Sequence, residues 1–111
     1  MSIWQEIQDT RALLDATREE SRVYGLAMNA AECRYNTTKD LRVRELLDEG
    51  MSITMIKEII KGEPDVSMAL NEFQNFQIEY KNACEALQIL KRDYDFLREQ
   101  YQREWGQAND D

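Results

Sequence analysis

The amino-acid sequence predicts an all-α fold, in which two long antiparallel helices form a coiled-coil hairpin and a short third helix joins them. The chain has 111 residues, enough for one small domain or one long helical hairpin. Its four glycines and single proline are too few for a β-rich fold with many turns. Apolar residues make up 42% of the chain and charged residues 32%, a mixture typical of long helices that each bury one narrow stripe.

The first long helix is predicted from about Ile3 to Asp48. Apolar residues recur at helical spacing in two stretches, and the polar segment ATREESR separates them. The first stretch contains Ile3, Trp4 and Ile7, and the second begins just before Gly25. Gly25 is the one position inside this helix where we expect a kink or a looser turn.

The stretch LLDEGMSITMIKEIIKGEPDV holds two glycines and the only proline, and it predicts the bend of the hairpin. One glycine ends the first long helix, a serine caps a short helix over about 52–61, and a second glycine ends that helix. A helix this short is not stable alone in water. We therefore expect its isoleucines to pack across the open end of the hairpin. The predicted bend residues are Gly50, Ser52, Ile56, Ile59, Gly62 and Pro64.

The second long helix is predicted over about 65–105. Pro64 suits the position before the helix, Asp65 is expected to cap it, and Gly106 is expected to stop it. Residues 1–105 thus form one predicted hairpin domain, and residues 106–111 form a frayed tail. Within the helix, alternating steps of three and four predict a heptad seam over about five repeats. The seam residues are Val66, Ala69, Phe73, Phe76, Tyr80, Ala83, Leu87, Leu90, Tyr94, Leu97 and Tyr101.

The distribution of charge favours the same topology. If the bend is centred near Ile56, the segment 34–44 lies opposite 68–78, or opposite the wider segment 63–85 if the register slips. The segment 34–44 holds four basic residues against one acid, and the wider segment holds five acids against one base. Ion pairs beside a seam are weak individually, but they set register and orientation.

The residue types present argue against catalysis and cofactor binding. The chain has no histidine, so it offers no histidine metal site and no Ser-His or Cys-His nucleophile pair. It also lacks a glycine-rich phosphate loop. Cys33 and Cys84 lie in separate helical segments without metal-ligand spacing, and we expect two buried, reduced thiols. We therefore predict a protein that is not an enzyme and binds no metal or cofactor.

Two alternatives remain open, and the first is a helix-turn-helix regulator that binds DNA. In that interpretation the helix after Pro64 would enter the major groove. Its first turns are acidic or apolar, and Lys81 is its first basic residue. The net charge of −8 also repels phosphate backbones and anionic membrane surfaces. We therefore expect no membrane partner and favour an interpretation without nucleic-acid binding.

The second alternative is an all-helical, magnesium-dependent nucleotide pyrophosphatase. Glu45, Asp48 and Glu49 end the first long helix, and the spacing of Glu45 and Asp48 places two carboxylates on one face. Such enzymes hold magnesium with carboxylate pairs from two helices, and the sequence shows no second pair at a matching depth. A solvated, charged helix end explains these residues more simply.

A short pattern spans the bend and the second long helix, of the form EG…I…GE…V followed by YK.A.EA...LK…LR…EW. It is carried by Glu49-Gly50, Ile56, Gly62-Glu63, Val66, Tyr80-Lys81, Ala83, Glu85-Ala86, Leu90-Lys91, Leu97-Arg98 and Glu104-Trp105. The segment from about residue 34 to residue 105 thereby resembles small coiled-coil proteins of unknown function that tailed phages and prophages encode, often in their early recombination and replication region. One departure is Gln77-Ile78, where such proteins often have an alanine just before the tyrosine.

The residues and the resemblance together predict a non-catalytic, coiled-coil interaction protein of a phage or prophage. We expect it to self-associate as a scaffold or adaptor, because many large apolar groups line only two long helices. The resemblance implies phage or host recombination and replication proteins as further partners. The N-terminal segment lacks a signal peptide, and no apolar run could span a membrane, so we expect the cytoplasm of the bacterial host cell. The predicted core and interface residues are Ile3, Trp4, Ile7, Phe73, Phe76, Tyr80, Leu87, Leu90, Tyr94, Leu97 and Tyr101.

Overall fold

The structure, a computed structural model, describes residues 2–109 of the chain and the side chains of residues 2–106. Over that range it is helical and contains no strand. Helix α1 spans Ile3–Asp48, α2 spans Ile53–Ile59, a 3-10 turn spans Ile60–Gly62, and α3 spans Pro64–Asn109. The predicted fold class is confirmed, because two long antiparallel helices are joined by a short third helix. None of the helices described is both long and apolar enough to cross a membrane.

The contacts between residues divide the chain into two compact units. The first unit comprises Met1–Val23 and Lys81–Asp111, and the second comprises Tyr24–Tyr80. Helices α1 and α3 each contribute one segment to both units, whereas α2 belongs to the second unit alone.

In the first unit, the segments of α1 and α3 pack against each other in antiparallel orientation. The rings of Trp4 and Tyr101 have centroids 5.6 Å apart. Farther along both helices, Ser21 Oγ and Cys84 Sγ lie 3.7 Å apart and share a hydrogen bond. The buried side chains of this unit are Ile7, Leu14 and Ala83.

In the second unit, α2 packs on α1 and α3 next to the bend. Five buried hydrophobic residues form one cluster: Tyr35 and Leu46 from α1, Ile56 from α2, Ile60 from the 3-10 turn, and Val66 from α3. Every element of the unit therefore contributes to one core. The burial of Ile56 and Ile60 in that core explains why a helix of seven residues is stable here, although it would not be stable alone.

The end of α1 has a backbone cause at Gly50. This residue has a φ of +90°, a left-handed conformation that glycine adopts without steric cost. The N–H of Met51 donates to the carbonyl of Leu46, and the N–H of Gly50 donates to the carbonyl of Leu47, both at 3.0 Å. These two bonds form a Schellman motif, which satisfies carbonyls that the helix end would otherwise leave open.

The short helix α2 begins and ends with local hydrogen bonds. The side chain of Ser52 accepts a hydrogen bond from the N–H of Met55 at 3.3 Å, as expected for a capping serine. At the other end, the N–H of Glu63 donates to the carbonyl of Ile60 and closes the 3-10 turn at 3.2 Å. Gly62 therefore ends the short helix through a tightened last turn and not through a left-handed conformation.

Helix α3 is longer than the sequence predicts at both ends. It begins at Pro64, whose fixed φ suits the first helical position, so Asp65 lies inside the first turn and does not cap the helix. It continues past Trp105 through Gly106, which has no positive φ, to Asn109. A single glycine costs a helix only about 1 kcal/mol, so it does not by itself end one. Residues 106–109 are thus helical where the sequence predicts a frayed tail, and residues 110–111 lie outside the described residues.

Helix α1 is continuous through Gly25, the position where the sequence suggests a kink. The ring of Tyr80 lies directly against this residue. A Cβ atom at position 25 would be 3.1 Å from Cε2 of Tyr80, closer than an ordinary van der Waals contact. The glycine therefore makes room for an aromatic ring from α3 within the second unit.

The register of the second unit differs from a bend centred on Ile56. Arg34 forms an ion pair with Glu72 at 2.6 Å, and Arg42 lies 3.5 Å from Glu63. Glu72 and Glu63 both lie nearer the bend than the residues that a bend centred on Ile56 would pair with Arg34 and Arg42. Because Arg42 already faces the residue before α3, α1 continues almost two turns beyond the beginning of α3. The predicted pairing of a basic with an acidic segment holds, with the slip that the sequence allowed for.

Helix α1 has an inward seam that its apolar residues alone do not show. Buried and half-buried residues recur at alternating steps of three and four, and four of them carry hydroxyl groups on threonine or serine. Two of these, Thr17 and Ser21, lie inside the polar segment ATREESR, which therefore does not interrupt the seam. The seam residues of α1 are Ile7, Thr10, Leu14, Thr17, Ser21, Tyr24, Met28, Ala31, Tyr35, Thr38 and Arg42.

Candidate functional site

The residues predicted to form the core and interface lie mainly on the inward faces of the two long helices. Ile7 is buried and Ile3 is half-buried. Trp4 is 53% exposed, although its ring packs on that of Tyr101 with an interplanar angle of 42°. On α3, all the predicted interface residues are half-buried, so none of their rings is fully covered within one chain. They are Phe73, Phe76, Tyr80, Leu87, Leu90, Tyr94, Leu97 and Tyr101.

The predicted bend residues divide into one packed residue and several exposed ones. Ile56 is buried in the core of the second unit, whereas Ile59 is 38% exposed. Ile60, which the predicted set omits, is buried beside Ile56, because the 3-10 turn follows α2 directly at this residue. The bend residues that lie at the surface are Gly50, Ser52, Gly62 and Pro64.

Many large apolar side chains lie outside both inward seams and face solvent. In the described part of the chain, fourteen such side chains are exposed, whereas only nine hydrophobic residues are buried. Those on α3 fall between or after the steps of its seam, and the others belong to α1 and α2. The fourteen exposed side chains are those of Trp4, Leu13, Val23, Leu26, Leu41, Leu47, Ile53, Met55, Ile59, Met68, Ile78, Ile89, Phe96 and Trp105.

One flank of the first unit forms a groove rich in basic residues, which we call the basic groove. Its cavity has a volume of about 580 Å³, with Leu14 and Tyr94 among its lining residues. The guanidinium of Arg98 lies 5.6 Å from the centroid of the Tyr94 ring, an attractive cation–π contact. The charged residues of the groove are Arg11, Arg18, Lys91 and Arg98, together with Asp15 and Asp95.

The charges of the basic groove are only partly neutralised within the unit. Arg18 lies 3.7 Å from Asp15, and both side chains are mostly exposed. Within the part of the chain that the structure describes, Arg11, Lys91 and Arg98 form no ion pair with a carboxylate. Four cations against two carboxylates leave the groove positively charged in a chain whose net charge is −8.

A second groove in the same unit carries acidic and apolar residues, and we call it the acidic groove. Its cavity has a volume of about 380 Å³, and no basic residue lines it. Phe96, one of its lining residues, is 61% exposed. The lining residues are Glu6, Asp9, Thr10, Asp93, Phe96 and Leu97. Its three carboxylates form no ion pair with any described basic residue, although Asp9 accepts a hydrogen bond from Gln5 at 2.9 Å.

An arginine at the bend connects the end of α1 to the beginning of α3. Arg42 donates a hydrogen bond to Glu45 at 2.9 Å and lies 3.5 Å from Glu63 and 4.0 Å from Glu49. The hydrogen bond to Glu45 is the main reason why the pKa of Arg42 is raised, and the charges of Glu63 and Glu49 add to the effect. These contacts give Glu45 and Glu49 a structural partner.

A pair joined by two hydrogen bonds lies on the exposed surface of α1. Arg22 donates two hydrogen bonds to Glu19, at 2.7 and 3.1 Å, which lower the pKa of Glu19 and raise the pKa of Arg22. Because the pKa of Glu19 is depressed, any stability from the pair is present above the ordinary carboxyl pKa. That stability is lost as the pH falls through the folded value. Both side chains are exposed, so the contribution is small.

The two cysteines occupy different surroundings, and neither forms a disulfide. Cys84 is half-buried and shares its hydrogen bond with Ser21. Cys33 is exposed, so the expectation of two buried thiols was wrong for this residue. Its position falls between the inward steps at Ala31 and Tyr35, which turns it outward.

The structure also shows the positions of the residues on which the pyrophosphatase and DNA-binding alternatives depend. Glu45, Asp48 and Glu49 are exposed at the end of α1. No group of three or more cysteine or acidic side chains among the described residues is arranged to hold a metal ion. At the start of α3, Asp65 is exposed and Val66 is fully buried against α1 and α2, so Val66 is not available to contact a base pair.

Sequence reasoning identified the seam of α3 but missed both grooves. A usable signal was present. In the first unit, the residues four places after the inward positions Ile7, Leu14, Leu87 and Tyr94 are basic, and the residues one place before them are acidic or apolar. These positions are seven residues apart on each helix, so the pattern follows the heptad repeat. Comparison with protein-family models, curated proteins and solved structures gives no match for this chain.

Proposed function

We propose that this protein is a non-catalytic, coiled-coil interaction protein that self-associates as a scaffold or adaptor. One observation carries the proposal: within the described residues, more large apolar side chains are exposed than hydrophobic residues are buried. Monomeric proteins rarely leave extended apolar surface open to water. A second copy would cover it, and burial of each Å² of apolar surface contributes about 25 cal/mol.

The accessible surface of the chain supports the same conclusion. It measures 8195 Å², whereas a folded monomer of 13.1 kDa typically exposes roughly 6400 Å². The excess on one chain is larger than the roughly 800 Å² that each partner buries in a stable protein–protein interface of standard size. The half-buried rings of the α3 seam provide part of this surface, because two helices alone do not enclose them.

The biological setting is the second part of the proposal. The resemblance to phage and prophage coiled-coil proteins supports a role accessory to phage DNA recombination or replication, in the cytoplasm of the bacterial host. In that role the protein would dock on recombination or replication proteins of the phage or the host. Co-purification of the tagged protein with the products of its neighbouring genes tests this part, and purified pairs that do not bind each other would contradict it.

Self-association is tested by the mass of the protein in solution. We expect multi-angle light scattering to give a mass that exceeds 13.1 kDa at micromolar concentrations and rises with concentration. Sedimentation velocity on the same samples separates a true oligomer from a monomer of unusual hydrodynamic radius. A mass that stays at 13.1 kDa up to several hundred micromolar would contradict the proposal.

A further inference from the structure

The two grooves of the first unit lie on opposite flanks of the inward seams. On α1, Ile7 and Leu14 are buried and mark the inward face. Glu6 immediately precedes the first of these residues and lines the acidic groove, whereas Arg11 and Arg18 follow each of them by four places and line the basic groove. At 100° per residue, one place before and four places after an inward position project to the two sides of the helix interface.

Helix α3 repeats the same arrangement. Tyr94 lies on its inward seam; Asp93, one place before, lines the acidic groove, and Arg98, four places after, lines the basic groove. In an antiparallel pair, equivalent flanks of the two helices meet on the same side. Side chains of like charge from α1 and α3 therefore lie on the same flank. They form no salt bridge with each other, so each flank keeps its net charge.

The two flanks are complementary to each other in charge. The basic groove has four cations against two carboxylates, and the acidic groove has three carboxylates and no cation. The acidic groove also offers apolar area at Phe96, which is 61% exposed.

We propose that the basic groove of one copy binds the acidic groove of a second copy. The contact rests on the proposed self-association and identifies the surfaces that perform it. Charge complementarity orients the copies and speeds their encounter, and burial of Phe96 and neighbouring apolar groups supplies affinity. The two grooves are different surfaces, so the contact is heterologous and leaves one unused groove of each kind at the ends of the assembly. The assembly therefore grows further or closes into a ring.

Two charge-reversal variants test this contact. One blocks the basic groove with Arg11→Glu and Arg98→Glu, and the other blocks the acidic groove with Glu6→Lys and Asp93→Lys. Each variant alone should lose at least about tenfold in association, because the like-charged grooves of two copies repel each other. An equimolar mixture should restore association, because each variant keeps intact the groove that the other has lost, and one such contact joins two 13.1 kDa chains in a dimer.

Controls keep the result interpretable. Arg44→Glu and Glu58→Lys reverse exposed charges of the second unit and should leave the wild-type mass unchanged. Circular dichroism checks that every variant is folded. A wild-type protein that is monomeric would overturn both the proposed function and this contact. If the wild-type protein oligomerises and both charge-reversal variants keep its mass, or the mixture shows no dimer, only the contact is overturned.

The basic groove could instead bind another anion, and the same variants detect this. A fluorescent single-stranded oligonucleotide and polyglutamate serve as probes. Probe binding that is lost with Arg11→Glu and Arg98→Glu, while the oligomer mass of the variants stays at the wild-type value, would assign the groove to an anionic partner. That outcome overturns the contact between copies.

Discussion

At the residue scale, Gly25 shows how one missing side chain sets the packing of two helices. Glycine is a poor helix former, and replacing it with alanine in a helix normally stabilises the fold by up to about 1 kcal/mol. At position 25 the same Cβ would approach the Tyr80 ring to 3.1 Å, and overpacking of this kind costs about 1–3 kcal/mol. The two effects oppose each other, and we expect the steric cost to dominate.

We therefore expect Gly25→Ala to lower the free energy of unfolding by about 1 kcal/mol in urea titration. Gly106→Ala is the matched control, because position 106 lies in the helix α3 and no atom lies within 4 Å of a Cβ built there. The control should be neutral or stabilise the protein by less than about 1 kcal/mol. Equal stabilisation by both substitutions would show that the Tyr80 ring moves aside without cost.

At the element scale, the short helix α2 is anchored through one of its faces only. Ile56 is 3% exposed inside the core of the second unit, whereas Ile53, three residues earlier, is 61% exposed. The helix has seven residues and one capping serine, so its own hydrogen bonds contribute little stability. Its position therefore depends on the isoleucines that reach the core.

We expect Ile56→Ala to destabilise the protein by about 2–5 kcal/mol, since it removes a buried side chain and leaves a cavity. Ile53→Ala, on the same helix, should change the free energy of unfolding by no more than about 0.5 kcal/mol. Chemical denaturation of both variants gives the comparison. Similar losses for the two isoleucines would mean that α2 is not anchored through Ile56.

The elements were predictable from sequence to different degrees. The seam of α3 is apolar or aromatic at every step, so its helix and inward face follow from periodicity. The seam of α1 is filled in places by hydroxyl residues such as Thr17 and Ser21, which a search for apolar residues reads as an interruption. The predicted stop at Gly106 was wrong because a glycine does not end a helix by itself, and the backbone at Gly106 does not turn left-handed as it does at Gly50.

The grooves were not predictable from the periodicity of apolar residues, because they depend on which residues of the two helices meet. The Arg42–Glu63 pair shows that α1 extends almost two turns beyond the start of α3. A register centred on the bend misses this offset, because the sequence does not specify how the short helix folds back. Flank residues of the two helices can be paired across the interface only after the helix register is known.

At the scale of the whole molecule, exposed apolar surface should couple folding to association. A ligand that binds only the folded state raises apparent stability, and a second copy acts in the same way. We therefore expect the thermal midpoint to rise as the protein concentration increases from about 1 to 100 μM. Calorimetry over that range provides the measurement. A midpoint independent of concentration would show that the monomer alone accounts for the stability of the fold.

The bend cluster also has a consequence for the order in which the chain folds. Arg34 and Glu72 are 38 residues apart in sequence, whereas Ser21 and Cys84 are 63 apart. The entropy lost on closing a loop grows with the length of that loop, so contacts near the bend form at the lower entropic cost. Folding should therefore start around Leu46, Ile56 and Val66, and the two long helices should then pair progressively away from the bend. The basic and acidic grooves would be completed last, which delays association until most of the chain is already folded.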